Sequence, residues 1–351
     1  FAPGGDVAAA ARALGANLLL TGRLSRKDDT VRVDYALIDA RRGHQLAGDR
    51  VEGTLGELLA LQDALRTSLI RALQIGSGVD LGSPVLRGPE AHGQYLHALG
   101  HLYRTDDQGG VERAITLLEE LVIAEGDTAV VHAALGRAYQ RKFRHERHPQ
   151  WIRKAETSCR TALALDPHAP EVLITLGDVL NAAGRHAEAV EALQSALALR
   201  EEDPDALWDL SLAYEGLGRM SDAEQAARRI TIARPEYWKG YDRLGVVPFR
   251  RGQFEPSADS WARVIELTPD NSNAYNNLGA AHFHLGRLEE AQRDYERAMA
   301  IAPTSRSYSG LGTVHFFMGR RRESVSLLEK AVALKPRDPL LWGNLAEVQQ
   351  W

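Results

Sequence analysis

A pattern of two amphipathic helices recurs along most of this chain, with a period of about 34 residues. Within residues 273–303, the first helix carries a small residue, Gly279, and Gly286 then interrupts the helical pattern. The second helix carries Ala291 and ends before Pro303, which cannot continue a helix. Because small residues let two helix backbones approach closely, this segment predicts a packed helical hairpin.

The small residue of the first helix defines the repeats along the chain. It occurs at Gly100, Gly136, Gly177, Ser211, Gly245, Gly279, Gly312 and Ala346. We predict seven complete helical pairs and a further first helix over Pro339–Trp351. A single pair cannot bury its apolar face, so the pairs are expected to stack and share one core.

The interval from Gly136 to Gly177 is longer than the usual period by about seven residues, which fall between the helices of the second pair. They belong to the polar segment 143–153, which contains His145 and His148. We expect a solvated surface loop here. The letters HERH do not have the HExxH spacing, so no metal site is predicted in this loop.

The segment 1–80 follows a different pattern. We predict, in order, a helix over Asp6–Leu14, strands over Ala16–Leu24, Val31–Leu37 and His44–Val51, and a helix over Leu55–Leu73. The leucines at 18–20 are expected to be buried. Gly76–Gly88 is rich in Gly and Pro and predicts a linker. The domains are therefore expected at 1–75, 76–92 (linker) and 93–351.

The spacing within the repeats resembles the tetratricopeptide repeat (TPR), a helical pair of about 34 residues. The residues that carry the resemblance are Tyr275, Leu278, Gly279, Ala291, Tyr295, Ala298 and Pro303. The resemblance implies a mostly α fold, a TPR α-solenoid forming a right-handed superhelix, preceded by a small partial α/β domain. It also implies a concave inner face that binds a protein or peptide.

Two further resemblances concern the biological context. Residues 6–75, which include LGANLLLTGRLSRKDDTVRVDYALIDARRGHQLAGDRV, resemble the TolB N-terminal-like domain, and IARPEYWKGYDRLG and LWGNLAEVQQW resemble TPR arrays of bacterial Ser/Thr protein kinases. These resemblances imply a sensory or regulatory module of a larger signalling protein, and we expect the chain to be a fragment. It contains no Gly-rich loop, VAIK-type lysine, HRD or DFG. We therefore predict no catalytic residues, no cofactor and no enzyme activity for this segment.

A candidate peptide-binding strip follows from the TPR resemblance, because fixed positions of the first helices line the inner face. These positions hold Lys239, Arg243, Asn273, Asn277 and Arg306, with Phe249, Phe283 and Phe316 recurring at one position and Phe317 beside the last. Amides can bind a peptide backbone, Lys and Arg a carboxylate, and aromatic rings apolar side chains. The alternative is a solvated face with the Phe residues packed between repeats. The strip resembles the carboxylate clamp of chaperone-binding TPR domains, but Asp242 and Val246 interrupt that pattern, so chaperone-tail binding is not expected.

Histidine and tryptophan residues offer weaker signals. His97 and His101 lie on one helix face in adjacent turns, but no third ligand is visible, so no metal site is predicted. His282 and His315 stand where the repeat usually has Tyr and are expected to pack between helices. Trp208, Trp261 and Trp342 are expected in the core.

Composition limits the classes of partner. The net charge of −5 argues against a nucleic-acid binder, and the single Cys159 excludes an internal disulfide. The sequence has no apolar run as long as the roughly 18 residues that a membrane span needs, so no membrane contact is expected within this segment. We expect a protein or peptide ligand. Location either in the cytoplasm or in an extracytoplasmic part of a membrane protein stays open.

Two alternatives to a peptide-binding scaffold remain. The chain could be the regulatory half of a Ser/Thr protein kinase, or a self-assembling repeat protein that forms homo-oligomers. The second alternative rests on an expected exposed apolar side of the last helix, formed by Leu341, Leu345 and Val348.

Overall fold

The structure, a computed structural model, describes residues 18–39, 44–54, 61, 64–65, 68, 86, 89–103 and 109–350. These residues form two compact units that divide between Gly218 and Arg219. Several predicted elements lie outside the described residues: the helix Asp6–Leu14, most of the helix Leu55–Leu73, and the linker Gly76–Gly88 apart from Leu86.

The first unit begins with three antiparallel strands in the order β1-β2-β3. They are β1 (Leu18–Lys27), β2 (Thr30–Asp39) and β3 (His44–Thr54), with Leu24 opposite Val33 and Val33 opposite Val51. Alternate residues of β2 and β3 point to one buried cluster, in which Val31 and Val51 pack with Leu61. The predicted strand order therefore agrees with the structure.

The expected burial of the leucines in β1 is wrong at Leu20, whose side chain is 53% exposed. β1 is an edge strand, paired only with β2 within the described sheet. The buried cluster of this sheet instead draws on β2, β3 and Leu61. The run of apolar residues in β1 therefore did not indicate a strand that is buried on both faces.

Fifteen helices follow within the described residues, α1–α7 in the first unit and α8–α15 in the second. Their bounds are α1 Pro89–Tyr103, α2 Gly110–Glu125, α3 Ala129–Glu146, α4 Pro149–Leu165, α5 Pro170–Ala182, α6 His186–Leu199, α7 Pro204–Gly216, α8 Met220–Ala233, α9 Trp238–Arg250, α10 Phe254–Leu267, α11 Ser272–His284, α12 Leu288–Ile301, α13 Ser305–Phe317, α14 Arg321–Leu334 and α15 Pro339–Gln350. The predicted fold class, a mostly helical repeat array preceded by a small sheet, is confirmed.

Close packing inside the helical pairs explains the recurring small residue. A Cβ added at Gly245 of α9 would lie 2.4 Å from Nε1 of Trp261 in α10, so the ring occupies the space that a side chain would need. The same relation joins Gly136 with Cys159, Gly177 with Leu193, Gly279 with Tyr295, and Gly312 with Leu328. Gly100 is an exception, because no atom of the described residues lies within 4 Å of its added Cβ. The glycines thus set the distance between paired helices.

The predicted polar loop of the second pair is wrong, because its residues are helical. α3 has 18 residues and α4 has 17, against 13 in α5 and 14 in α6. Only Arg147 and His148 connect α3 to α4. The His148 ring accepts a hydrogen bond from the backbone N–H of Gln150, and Pro149 occupies the first helical turn, so α4 starts early. The additional residues therefore lengthen both helices.

The turn between paired helices usually contains a glycine with positive φ. At Gly286 φ is 74°, and the next residue, Arg287, donates its N–H to the carbonyl of His282 at 2.9 Å, which ends α11. Gly184, Gly252 and Gly319 have φ between 74° and 78°. Arg147, after α3, adopts the same region with φ 57° without being glycine.

The apolar side of α15 is covered, contrary to the expectation from sequence. Leu341, Leu345 and Val348 are 7%, 5% and 3% exposed because they pack on Leu328 and Val332 of α14. The self-assembly alternative therefore loses the feature on which it rested. No helix within the described residues is long and apolar enough to cross a bilayer.

The tryptophan predictions have mixed outcomes. Trp261 is 2% exposed and belongs to the core of the second unit, as expected. The expectation for Trp342 is wrong, because 52% of this residue is exposed. Its Nε1 donates to the carbonyl of Pro336 at 3.0 Å, which holds the ring beside the turn before α15.

Candidate functional site

The residues of the predicted strip all lie on α9, α11 and α13, the first helices of three successive pairs in the second unit. Lys239 is half-buried near the start of α9, and its Nζ lies 5.7 Å from the centroid of the Tyr237 ring. Asn273 and Arg306 are exposed near the starts of α11 and α13. These three side chains are the accessible polar members of the strip.

Asp242 of α9 lies at the centre of the polar part of the strip. Its Oδ1 accepts a hydrogen bond from Nε1 of Trp261 at 3.2 Å and another from Nδ2 of Asn277 at 3.4 Å. Burial raises the pKa of the Asp242 carboxyl, while the hydrogen bonds and the charges of Arg243 and Arg306 act in the opposite direction. The Asn277 amide, which the sequence suggested as a donor to a ligand, therefore donates to the Asp242 carboxylate of the protein itself.

Arg243 is almost completely buried, with 3% of its surface exposed. Its positive charge acts on Asp242, the preceding residue. Arg243 therefore belongs to the packed interior around that carboxylate. The surface charge of the strip comes instead from Lys239 and Arg306.

The aromatic part of the strip is a connected row of rings across three pairs. We define the aromatic row as Phe249, Phe254, His284, Phe283, Phe317 and Phe316. Adjacent ring centroids lie 4.5 to 5.6 Å apart, and most pairs meet edge to face, the arrangement that aromatic quadrupoles favour. The three predicted phenylalanines are half-buried, whereas His284 and Phe317 are exposed, the latter by 61%.

One side of each predicted phenylalanine packs inside the protein, and ligand contact by the other side stays a prediction. Phe249, Phe283 and Phe316 each pack on a different buried cluster of the second unit. Their remaining surface, with that of Phe317, is available to solvent. The residues that sequence reasoning missed are Phe254 and His284. His284 follows Phe283 as Phe317 follows Phe316, so the repeat alignment contained that signal.

Two histidines at equivalent repeat positions have different surroundings. Nδ1 of His282 lies 2.7 Å from Oδ2 of Asp294, and both side chains are mostly buried. His315 has both ring nitrogens buried without a hydrogen-bond partner among the described residues. Burial lowers the pKa of His315. Both residues pack between helices, as the sequence suggested.

The remaining histidine candidates show no ligand geometry. The rings of His97 and His101 lie side by side, with centroids 4.6 Å apart, and Nε of Arg113 donates to Nδ1 of His101 at 3.5 Å. A neighbouring guanidinium is an unfavourable companion for a metal cation. Within the part of the chain that the structure describes, no three His, Cys, Asp or Glu side chains group as metal ligands.

The geometry defines an α-helical repeat protein in which a glycine of each first helix usually receives a large side chain from its partner. Family models for the tetratricopeptide repeat match residues 152–204, 174–237 and 270–337, and a TPR repeat model matches residues 247–286. The chain belongs to the tetratricopeptide-repeat proteins. Repeats of this kind present extended surfaces to protein or peptide partners.

Solved structures support the same fold. A tetratricopeptide repeat protein from Parabacteroides merdae has a TM-score of 0.56 at 18% identity, over 73% of this chain and 99% of that chain. The Cut9–Hcn1 hetero-tetramer of the APC/C gives 0.57 at 15% identity, over 84% of this chain and 53% of that chain. PilF of Pseudomonas aeruginosa has a TM-score of 0.50 at 16% identity, over 62% of this chain and 98% of that chain. No curated protein matches the chain.

Proposed function

We propose that the second unit binds an extended peptide along the first-helix faces of α9, α11 and α13. The observation that carries this proposal is the aromatic row, which runs through three helical pairs and keeps exposed aromatic surface on the same three first helices that carry the accessible polar groups. Exposed aromatic rings contribute strongly to protein interfaces because they bury a large area with little loss of conformational entropy.

The polar groups suit a peptide that carries a negative charge. Three cations, Lys239, Arg243 and Arg306, accompany the single carboxylate of Asp242 in this strip. The surplus positive charge favours a carboxylate of the ligand, and the exposed Asn273 amide can bind its backbone. The aromatic row would receive apolar side chains of the same peptide.

A charge-reversal variant tests this site. Lys239→Glu combined with Arg306→Glu changes accessible residues, whereas substitution of the buried Arg243 would disturb the fold. Peptides selected against the full chain from an array of acidic peptides with free C-termini should lose at least about tenfold in affinity for this variant. The control is Arg297→Glu with Arg322→Glu, which makes the same change of charge on the exposed sides of α12 and α14.

Unchanged affinity in Lys239→Glu/Arg306→Glu, or an equal loss in the control, would remove the site assignment. Phe317→Ser tests the aromatic contribution separately. This residue is 61% exposed, so its substitution should reduce peptide affinity with little change in stability.

We also propose that the chain is the sensory or regulatory part of a larger bacterial signalling protein. The antiparallel β1-β2-β3 order supports the TolB-like resemblance on which this context rests. A Ser/Thr kinase domain, followed by an apolar span, is the effector that the resemblance favours, and it would place this segment outside the cytoplasm. Sequencing the gene upstream of the Phe1 codon tests both points. A different effector domain would reject the kinase, and a cytoplasmic effector without a span would reject the extracytoplasmic location.

A further inference from the structure

The lengthened second pair of the first unit forms one side of a pocket of about 330 Å³ between α3, α4 and α5. Phe143, Ile152 and Val179 line it with apolar surface, and Gln140 adds an amide. Small-molecule sites commonly have volumes of about 300 Å³ or more, so the pocket has room for a ligand with one apolar side chain and a polar group next to it. It exists because α3 continues through residues 143–146, which the sequence had suggested as loop.

The charged residues of the pocket lining are not balanced. Nη2 of Arg144 lies 2.7 Å from Oδ2 of Asp178, so these two charges compensate each other. Arg147 has no carboxylate partner among the described residues, and its guanidinium carbon lies 5.7 Å from the centroid of the Phe143 ring. The lining therefore presents one uncompensated guanidinium next to apolar surface. Such a group recognises a carboxylate through charge-assisted hydrogen bonds.

The backbone of Arg147 provides a second, independent observation. Its φ of 57° lies in the left-handed region, where the corresponding turns in the described part of the chain have Gly184, Gly218, Gly252, Gly286 and Gly319. A side chain in this region costs about 1–2 kcal/mol relative to glycine. Strain of this kind concentrates at functional sites, where the side chain has a role that glycine cannot fill.

We propose that this pocket binds a ligand in which one carbon atom carries both a carboxylate and an apolar side chain, as the Cα atom of a C-terminal peptide residue does. Arg147 binds the carboxylate, the apolar lining receives the side chain, and the Gln140 amide hydrogen-bonds the adjoining peptide group. The site lies within the first unit and shares no residue with the strip on α9, α11 and α13. Its existence is therefore independent of the function proposed for the second unit.

Two small probes test the chemistry of the pocket. N-acetyl-L-leucine and N-acetyl-L-leucinamide differ only in the carboxylate, and their affinities for the full chain can be measured by ligand-observed NMR. The acid should bind at least about tenfold more tightly than the amide, because only the acid forms a charge-assisted pair with Arg147. Equal affinities, or no binding of either probe at millimolar concentration, would overturn the proposal.

A third probe distinguishes the source of the carboxylate. An acetylated Gly-Ser-Gly-Ser-Leu peptide with a free C-terminus carries the same terminal residue as N-acetyl-leucine. Tighter binding of the peptide supports a peptide C-terminus, whereas equal affinity supports a small apolar acid. Weaker binding of the peptide than of the acid would reject the peptide C-terminus.

Substitution of Arg147 separates loss of binding from loss of folding. Arg147→Gly removes the guanidinium and relieves the backbone strain, so it should weaken N-acetyl-leucine binding by at least about tenfold without lowering thermal stability. Arg153→Gln removes one charge from an exposed residue of α4 outside the pocket lining and should bind the probe normally. Wild-type affinity in Arg147→Gly, or an equal loss in Arg153→Gln, would contradict the assignment.

Discussion

Nδ1 of His282 lies 2.7 Å from Oδ2 of Asp294, whereas the equivalent position opposite His315, one repeat later, is Leu327. The same histidine is therefore paired with a carboxylate in one repeat and left without a hydrogen-bond partner, among the described residues, in the next. A buried imidazole without a partner is held in its neutral form, and keeping it neutral costs free energy at low pH. This contrast gives the first prediction.

His315 should make the stability of the protein fall at acidic pH. Burial, with a smaller contribution from Arg320, lowers the pKa of His315 below its ordinary value of 6.5, while Glu323 and Glu296 partly oppose the shift. The unfolded chain therefore takes up a proton first, and stability is lost as pH falls below about 6.5 towards the folded-state pKa. His315→Leu should reduce the fall in melting temperature between pH 7.5 and pH 5.5, measured by circular dichroism.

The matched control is His168→Leu, an exposed histidine in the turn before α5. It should leave the pH dependence of the melting temperature unchanged. If His315→Leu and the wild type lose stability in parallel, the buried imidazole is not the titrating group.

Gly245 and Gly100 occupy the same repeat position, and alanine should have opposite effects at the two sites. In Gly245→Ala the new methyl group meets the indole of Trp261, and overpacking of this kind typically costs about 1–3 kcal/mol. In Gly100→Ala no residue that the structure describes obstructs the methyl group, and the higher helix propensity of Ala should stabilise by up to about 1 kcal/mol. Urea denaturation of the two variants measures both free energies. Destabilisation by Gly100→Ala would show that open space at α1 is not available.

Asp242→Asn should increase stability at neutral pH. Burial raises the pKa of Asp242, so the ionised carboxylate costs free energy in the folded protein despite Arg243 and Arg306. This cost is fully present above the folded-state pKa and disappears as pH falls through it towards the unfolded value of 3.8. The asparagine oxygen can still accept from Trp261 and Asn277.

Chemical denaturation at pH 7 and at pH 4.5 checks the Asp242 prediction. The gain in stability should be larger at pH 7, because protonation of Asp242 removes its cost in the wild type at lower pH. A variant that is less stable than the wild type at pH 7 would show that the carboxylate is needed to compensate its neighbouring cations. Under the proposed peptide-binding function, the same variant should bind acidic peptides more tightly.

Arg147→Gly should stabilise the first unit. Glycine tolerates the φ of 57° that Arg147 adopts, so the substitution removes a strain of about 1–2 kcal/mol. Because glycine also makes the unfolded chain more flexible, the free energy of unfolding should rise by only about 0.5–1 kcal/mol. Arg234→Gly is the control, because Arg234 also ends a helix but has φ −136°. Glycine there should lower stability by a similar amount, since it only adds flexibility to the unfolded chain. Equal effects of the two substitutions on the denaturation midpoint would contradict the strain at Arg147.

The helical pairs could be predicted from sequence because their spacing depends on a few residues, mainly glycines, that recur at fixed positions. Close packing requires glycine at position 245, and a positive φ favours glycine at position 286. Glycines at such positions therefore recur with the period of the helical pairs. The polar letters of residues 143–153 gave the wrong answer, because exposed helical turns and loops have similar composition. Helix continuation there depends on the His148 cap and on Pro149 at the start of α4.

The candidate site was less predictable than the fold. The sequence identified Lys239, Asn277 and Arg306 by position, but it could not show that Asn277 donates to Asp242 within the protein. Burial of an arginine such as Arg243 also depends on neighbouring helices that periodicity alone does not specify. The contacts that decide availability to a ligand are tertiary, so they appeared only in the structure.

The lengthened second pair shows how such an array can change locally without losing its register. A hairpin grows from its tip, and each antiparallel arm gains about one turn, or about 5.4 Å, when roughly seven residues are inserted. One whole turn on each arm restores the angular phase, so Gly136 still meets Cys159 although these two are further apart in sequence than Gly177 and Leu193. Heptad-sized insertions at hairpin tips are therefore a route by which a repeat array can acquire a local projection while its stacking surfaces stay unchanged.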